Sequence, residues 1–167
     1  LQQLESHNVE LELVEQPVKS DDFKGLKYIT ERVNTPIMAD ESAFSPKQVI
    51  QLLEQNAVDI INIKVMKTGG LSRAIEIANI TEQYQADCMI GCMLEGSIAV
   101  AGAAHLASAK AQQISKIDLD GPALGQYDPV QGGVEFNGPA ITLSDGPGLG
   151  IKSIDTLQPI NDGIWPL

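Results

Sequence analysis

Positively charged residues are scarce in this sequence. The chain of 167 residues carries 11 Lys and Arg against 22 Asp and Glu, which gives a net charge of −11. Nucleic acids bind to basic surfaces, so this balance argues against nucleic acid as a partner. Long apolar runs are missing too. Because no stretch of the sequence is apolar over the length of a bilayer, we expect no membrane association.

Cysteine is nearly absent as well. The sequence has only 2 cysteines, Cys88 and Cys92, and no cluster of partner residues that would indicate a disulfide framework or a zinc site. This usage favours a reducing compartment, and we expect a cytoplasmic protein. The sequence also shows no glycine-rich phosphate loop, no Ser-His-Asp order and no Cys-His pair.

Three short apolar runs are present, and each ends in a charged residue: Glu15, Asp40 or Lys64. The run ends are roughly 25 residues apart with a helix-like segment between them, which is typical of strand-helix units in a parallel β/α barrel. The carboxyl ends of barrel strands converge on one mouth. The spacing therefore predicts that two carboxylates and an amine meet there, as a metal site beside an acid/base group.

Two further strands extend this period, one ending near Gly91 and one over residues 115–119, and the period stops after Pro122. We therefore predict an α/β fold: a partial TIM-type barrel of about the last five strand-helix units over residues 1–125. Residues 126–167 are expected to form an irregular segment with one pair of short strands, which returns toward a capping domain. A closed barrel needs eight strands, so the first barrel strands and an N-terminal capping domain are expected to lie outside this chain.

Three motifs resemble the enolase superfamily, and in particular its muconate-lactonising branch. They are Glu15-Gln16-Pro17, Ala39-Asp40-Glu41-Ser42 and the stretch 62–70, which contains Lys64 and ends in Gly-Gly. The resemblance implies that Glu15 and Asp40 are two of three Mg²⁺ ligands and that Lys64 is the acid/base at the substrate α-carbon. Glu41 either supports these ligands or is only their neighbour. Lys67 has no such role in the family and is expected to be a surface or ion-pair lysine.

The residues at the end of the last predicted strand indicate which group of enzymes within the branch the chain resembles. Asp118-Leu119-Asp120 is similar to the Asp-x-Asp motif of dipeptide epimerases, whose carboxylates hold the α-ammonium group of the substrate. The alternative is that the two aspartates only cap the turn before Gly121. Met93 and Glu95 fall where the family lines its substrate pocket, and we expect them to contact the substrate.

The resemblance implies an isomerase that inverts the α-carbon of a dipeptide by 1,1-proton transfer through an enediolate. Mg²⁺ and partial burial are both expected to lower the pKa of Lys64, the lysine on one face of the substrate. The first alternative is a lyase or cycloisomerase of the same branch, of the o-succinylbenzoate synthase or muconate cycloisomerase type. The second is a barrel fragment without chemistry.

The sequence also departs from the family pattern. The family's third metal ligand, its Lys-x-Lys pair and its capping domain have no counterpart in this chain. We therefore expect the isolated chain to be inactive. We also expect the full-length protein to be a homo-oligomer.

Overall fold

A parallel sheet forms the centre of the fold. The computed structural model describes residues 1–157, and within them five strands pair in chain order, all in parallel. The strands are β1 (Val14–Glu15), β2 (Ile37–Ala39), β3 (Ile60–Lys64), β4 (Asp87–Gly91) and β5 (Ile114–Asp118). The strand order does not reverse anywhere in the sheet, unlike the order in a doubly wound α/β sheet. This singly wound order is that of a β/α barrel, which confirms the predicted fold class.

The sheet is curved. Glu12, just before β1, accepts a hydrogen bond from Lys116 of β5 at 3.0 Å, although three strands lie between β1 and β5. A flat sheet would hold its two edge strands roughly 19 Å apart, at about 4.8 Å per strand spacing. The ion pair therefore shows that the two edges of the sheet curl toward each other, as barrel strands do.

Helices occupy the connections between the strands. They are α1 (Gln2–Ser6), α2 (Phe23–Thr30), α3 (Pro46–Glu54), α4 (Val65–Thr68), α5 (Leu71–Tyr84), α6 (Ser97–Ala109) and α7 (Gly121–Leu124). Local sequence explains several of their ends. Ser45 caps α3 by accepting from the backbone N–H of Gln48, and Pro46 fills the first helical position. Asp22 caps α2 in the same way.

The hydrophobic core lies between the sheet and these helices. Its fully buried side chains come from both layers and include Leu26, Ile37, Val49, Leu52, Ile61, Ile63, Ile77, Ile90 and Val100. Small residues fill the buried face of α6, which lets this helix pack closely. None of the helices in the described part of the chain combines the length and the apolar composition that a membrane crossing requires.

The first strand is shorter than its pattern predicts. The alternation begins at Val9, but only Val14 and Glu15 pair, with Ile37 and Met38 of β2. The N–H of Val14 donates to the carbonyl of Pro36. Proline has no N–H to continue the ladder in the other direction, so the pairing ends there.

The segment after residue 125 contains more regular structure than expected. Strand β6 (Val130–Gly132) pairs with β9 (Ile151–Ile154), and β7 (Val134–Asn137) pairs with β8 (Ala140–Leu143), both antiparallel. The sequence pattern predicted only the second pair. Side chains of this segment pack against the core. Residues 158–167 of the predicted segment lie outside the described residues, and the domain boundaries themselves stay a prediction.

Candidate active site

A cavity of about 880 Å³ opens at the carboxyl ends of the first three strands. Four residues predicted from sequence line it: Glu15, Asp40, Glu41 and Lys64. The loop that follows β1 forms another part of the wall, through Lys19, Ser20 and Asp21. The shared cavity explains why charges far apart in sequence were expected to meet, because the strand ends share one edge of the sheet.

Asp40 lies at the centre of the charged groups in this cavity. Its Oδ2 accepts from the Lys64 ammonium at 2.6 Å, and its Oδ1 accepts from the Lys67 ammonium at 2.5 Å. The side chain of Asp40 is 6% exposed, that of Lys64 16% and that of Lys67 3%. Lys67 was expected to be either a surface lysine or an ion-pair lysine. It is an ion-pair lysine, and the surface alternative is wrong.

The pKa values of Asp40, Lys67 and Lys64 are all shifted from their ordinary values. Burial raises the pKa of Asp40, but the hydrogen bonds and charges of Lys64 and Lys67 outweigh it, so the pKa of Asp40 is lowered and the carboxyl stays ionised. For Lys67, burial lowers the pKa by more than the hydrogen bond and charge of Asp40 raise it. The positive charge of Lys64 lowers it further, so the pKa of Lys67 is lowered.

The pKa of Lys64 shifts in the opposite direction to that of Lys67, and the lowering expected from Mg²⁺ stays a prediction. Burial lowers the pKa of Lys64, as predicted, but the hydrogen bond and charge of Asp40, with the charges of Glu15 and Glu41, have the larger combined effect. The pKa of Lys64 in this chain is therefore raised. The sequence could place the carboxylates near Lys64, but it could not show that Asp40 accepts a direct hydrogen bond from the Lys64 ammonium at 2.6 Å.

Glu15, the other predicted metal ligand, is held by a buried amide. Asn62 of β3 donates from Nδ2 to Glu15 Oε1 at 2.9 Å, and Asn62 is 1% exposed. The carboxylate can only accept, so the amino group of Asn62 faces it and the amide oxygen points away. That oxygen, Asn62 Oδ1, is buried with no hydrogen-bond partner.

Gln16 forms hydrogen bonds to the turn that contains Asp40. Its Oε1 accepts from the backbone N–H groups of Asp40 and Ser42 at 2.9 and 3.2 Å, and its Nε2 donates to Ser42 Oγ at 2.8 Å. Gln16 adopts a φ of 40°, a backbone conformation that is uncommon for residues other than glycine. These bonds fix the end of β2 relative to the end of β1.

The donor chemistry of the cavity fits a hard cation. Glu15, Asp40 and Glu41 supply carboxylate oxygens, which are the ligands that Mg²⁺ prefers. Within residues 1–157, no three His, Cys, Asp or Glu side chains are close enough to form a complete metal site. The roles of Glu15 and Asp40 as ligands, and of Glu41 beside them, stay predictions.

The Asp-x-Asp residues lie at the same edge of the sheet but line a different cavity. Lys64 pairs with Gly91, and Gly91 pairs with Asp118, so these residues form one row across three strands. Asp118 and Asp120 line a cavity of about 350 Å³ between β5 and the β7–β8 hairpin, with Phe136 in its wall. Their predicted contact with a substrate ammonium group is not tested by this arrangement.

The loop after β4 packs directly on the turn that carries these aspartates. A Cβ atom on Gly121 would lie 2.7 Å from the carbonyl oxygen of Glu95 and 3.1 Å from that of Met93. Glu95 is buried, and its Oε2 accepts from the backbone N–H of Met93 at 3.0 Å, so its carboxylate stabilises its own loop. Met93 is half exposed. Substrate contacts by Met93 and Glu95 stay predictions.

The sequence did not predict the site contacts of three residues: Gln16, Asn62 and Lys67. A signal existed for Lys67, because a residue three positions after Lys64 in a helical turn returns to the same side of the chain. Asn62 also had a signal, since a polar residue inside an otherwise apolar strand is buried only with a partner. The contacts of Gln16 depend on two turns meeting, which the sequence pattern does not reveal.

Comparison with known families and proteins shows the family of the chain. Residues 1–156 match the model of the family described as "Enolase C-terminal domain-like". The chain belongs to this family. Related proteins include the L-Ala-D/L-Glu epimerase of Clostridium acetobutylicum, 51% identical over 155 residues, and that of Bacillus subtilis, 42% identical over 151 residues. These matches cover 93% and 90% of the chain, but 43% and 41% of the two relatives.

Solved structures of this enolase-type family show the same fold. A substrate-liganded complex of the L-Ala-D/L-Glu epimerase from Bacillus subtilis superposes with a TM-score of 0.89 at 41% identity, over 92% of this chain and 42% of that one. The dipeptide epimerase from Enterococcus faecalis V583, complexed with Mg and L-Leu-L-Tyr, gives 0.86 at 45% identity, over 91% and 43%. The chain thus spans about two fifths of the length of the relatives it matches.

Proposed function

We propose that this chain is the acid/base and metal-binding part of an epimerase that inverts the α-carbon of a dipeptide. The observation that carries the proposal is the contact of Lys64 with Asp40, 2.6 Å apart, in a cavity that Glu15 also lines. The names of the related epimerases, and the Mg and dipeptide found with one of them, support it. Because the chain spans about two fifths of the length of these relatives, the activity of the whole protein is part of the proposal.

In this proposal, Lys64 moves the proton on one face of the substrate. When the substrate has its α-proton on the Lys64 side, the Lys64 amine takes this proton, which leaves an enediolate. When the reaction runs in the opposite direction, the Lys64 ammonium group gives a proton to the enediolate. A base must first be neutral, so Lys64 has to leave its ion pair with Asp40 before it acts. The second lysine, for the other face, is expected from outside this chain, so we expect the chain alone to be inactive.

Glu15 and Asp40 would hold the metal ion, with Glu41 nearby. When bound, Mg²⁺ would supply positive charge to substrate oxygens on which negative charge develops. Asn62 keeps Glu15 in place from one side through its 2.9 Å hydrogen bond, and Gln16 fixes the backbone of Asp40. The Asp118 and Asp120 carboxylates, at the same edge of the sheet, would attract the ammonium group of a dipeptide.

The proposal is tested by proton exchange in deuterated solvent. The full-length protein should exchange the α-proton of both epimers of its dipeptide. Lys64→Ala removes the base from one face, so the variant should lose epimerisation and exchange one epimer alone or neither, while its Mg²⁺ affinity stays close to that of the wild type. Lys110→Ala is a matched control, because this lysine pairs with Glu82 on the helical side of the sheet.

The outcomes separate the alternatives. If Lys64→Ala interconverts both epimers at the wild-type rate, Lys64 is not the acid/base. If the wild type instead forms an unsaturated or ring-opened product from a cyclohexadiene or lactone substrate and leaves dipeptides unchanged, the lyase or cycloisomerase alternative is correct. A full-length protein that turns over none of these substrates supports a barrel without chemistry.

A further inference from the structure

Lys67 is a buried lysine for which the proposed reaction has no step. Its ammonium group donates to Asp40 Oδ1 at 2.5 Å, to the backbone oxygen of Asp40 at 2.7 Å and to the backbone oxygen of Asn62 at 2.8 Å. An ammonium group has three N–H donors, so these contacts use them all. Lys67 therefore has no donor left for a substrate, and any influence on the reaction must pass through the groups that it holds.

We propose that Lys67 is a positioning residue that fixes the Asp40 carboxylate, and through Asn62 the Glu15 carboxylate, in the arrangement that binds a divalent cation. The inference rests on the proposed function, since it takes Asp40 and Glu15 as metal ligands. It assigns to Lys67 a role in metal binding that is separate from proton transfer.

The two lysines on Asp40 differ in ways that suit different roles. Lys64 lines the cavity and contacts Oδ2, whereas Lys67 is not among the residues that line the cavity and contacts Oδ1. Lys67 belongs to α4, the single helical turn that follows β3, and it contacts backbone oxygens of both β3 and the end of β2. Lys64 can thus leave Asp40 while Lys67 still holds the other carboxylate oxygen.

A continuous set of hydrogen bonds joins the two carboxylates. Lys67 donates to the backbone oxygen of Asn62, and the Asn62 side chain donates to Glu15 Oε1. Asn62 is 1% exposed, so packing limits the movement of its side chain. Hydrogen bonds to ionised groups are stronger than those between neutral groups, which makes this set a rigid link between the predicted ligands.

An electrostatic role and a positioning role of Lys67 predict opposite changes in metal affinity when Lys67 is removed, so the proposal can be tested. A positive charge beside Asp40 repels a cation, so an electrostatic effect alone predicts tighter metal binding when the charge is removed. A positioning role predicts weaker binding, because Asp40 then has a free, buried oxygen and can turn away. Loss of groups that orient metal ligands weakens metal binding by roughly 10- to 100-fold.

The experiment measures Mg²⁺ and Mn²⁺ binding to the full-length protein by calorimetry. Lys67→Met should raise the Kd for both metals by roughly 10- to 100-fold, and Lys67→Gln, which keeps N–H donors without the charge, by a smaller factor. Lys64→Met is the matched control, because it removes the same charge from the other oxygen of Asp40. It should not weaken metal binding.

Two further measurements distinguish positioning from a merely structural role. Thermal unfolding in EDTA identifies which variants are folded, and the Gln variant decides the result if the Met variant does not fold. At saturating Mg²⁺, kcat of the folded Lys67 variants should recover toward the wild-type value. Folded variants that bind the cations as tightly as the wild type, or more tightly, overturn the inference, and so does a kcat that excess Mg²⁺ leaves low.

Asp40→Asn separates a failure of this inference from a failure of the proposed function. If this variant binds the cations as tightly as the wild type, the proposed metal site is wrong and the inference on Lys67 fails with it. If Asp40→Asn weakens binding while the Lys67 variants do not, the metal site stands and only the positioning role is wrong.

Discussion

Lys64 and Gly91 are paired residues on neighbouring strands, and the lysine side chain passes over the glycine at the place where a side chain would begin. A Cβ atom on Gly91 would lie 3.1 Å from Lys64 Cε and 2.7 Å from Asn62 Oδ1. Real Cβ atoms do not approach other atoms as closely as the second distance. The missing side chain of Gly91 therefore gives room to both the proposed base and the amide that holds Glu15.

The first prediction is that Gly91→Ala impairs turnover. The added methyl group must displace Lys64 or Asn62, so we expect kcat to fall by about tenfold and the free energy of unfolding to fall by about 1–3 kcal/mol. Steady-state kinetics and urea denaturation of the full-length protein measure both effects.

Gly102→Ala is the matched control for this change. A Cβ atom on Gly102, in helix α6, would meet only the Leu71 methyl groups at 3.9 and 4.0 Å, which is ordinary contact. Alanine is also a better helix former than glycine, so this variant should keep full activity and gain about 0.5–1 kcal/mol of stability. Wild-type kcat in Gly91→Ala would show that Lys64 reaches its working position without this gap.

The strand ends show what the sequence could predict and what it could not. Glu15, Asp40 and Lys64 could be placed in one cavity because the parallel period puts every strand end at the same edge of the sheet. Which carboxylate oxygen each lysine contacts depends on side-chain distances of a few ångströms. The spacing of residues in the sequence carries no information at that scale, so Lys67 was left without a site role.

The first strand and the last segment illustrate a second limit. The alternation of apolar and polar residues from Val9 onward is a local property of the sequence. A strand forms only where a neighbouring strand offers N–H and carbonyl groups, and at Pro36 the hydrogen bonds between β1 and β2 end. The strands β6 and β9 are similarly short and come together from different parts of the chain. Pairing across such a distance leaves no regular pattern in the sequence of either strand.

The second prediction concerns Gly121, which lies in the turn after Asp120. An added Cβ atom would lie 2.7 Å from the backbone oxygen of Glu95, and backbone atoms cannot move aside as a flexible side chain can. Gly121→Ala should therefore displace the turn that carries Asp120 and raise KM for dipeptides by about tenfold, with a smaller change in kcat. Mg²⁺ affinity should not change. An unaltered KM would mean that this turn does not contact the substrate.

The third prediction tests Asp118 and Asp120 themselves. Both carboxylates are proposed to hold a substrate ammonium group, so Asp118→Asn with Asp120→Asn should lower kcat/KM for a dipeptide by at least about 100-fold. For the N-acetylated dipeptide, which has no ammonium group, the change should be small. Mg²⁺ affinity, measured by calorimetry, serves as the control. Equal losses for the two substrates would contradict a charge-based contact and favour turn capping.

The last prediction concerns acid stability and a contact far from the cavity. One oxygen of Glu5, in helix α1, accepts from the Thr35 hydroxyl, the Thr35 N–H and the Asn34 N–H, each at 2.8 Å. The side-chain and backbone hydrogen bonds from Thr35 lower the pKa of Glu5 below its ordinary value of 4.5, despite the opposing effect of burial. These contacts tie the start of the chain to the turn that leads into β2.

A carboxyl whose pKa is lower in the folded state stabilises the fold above its unfolded pKa and loses that contribution as the pH falls through the folded pKa. Glu5→Gln keeps an oxygen that can accept but removes the charge. The variant should therefore be less stable than the wild type at about pH 7, and the difference should shrink below about pH 4. Urea denaturation across this range measures it, with the exposed Glu10→Gln as a control that should show no such convergence. A difference that stays constant with pH would mean that Glu5 stabilises the turn by its shape and not by its charge.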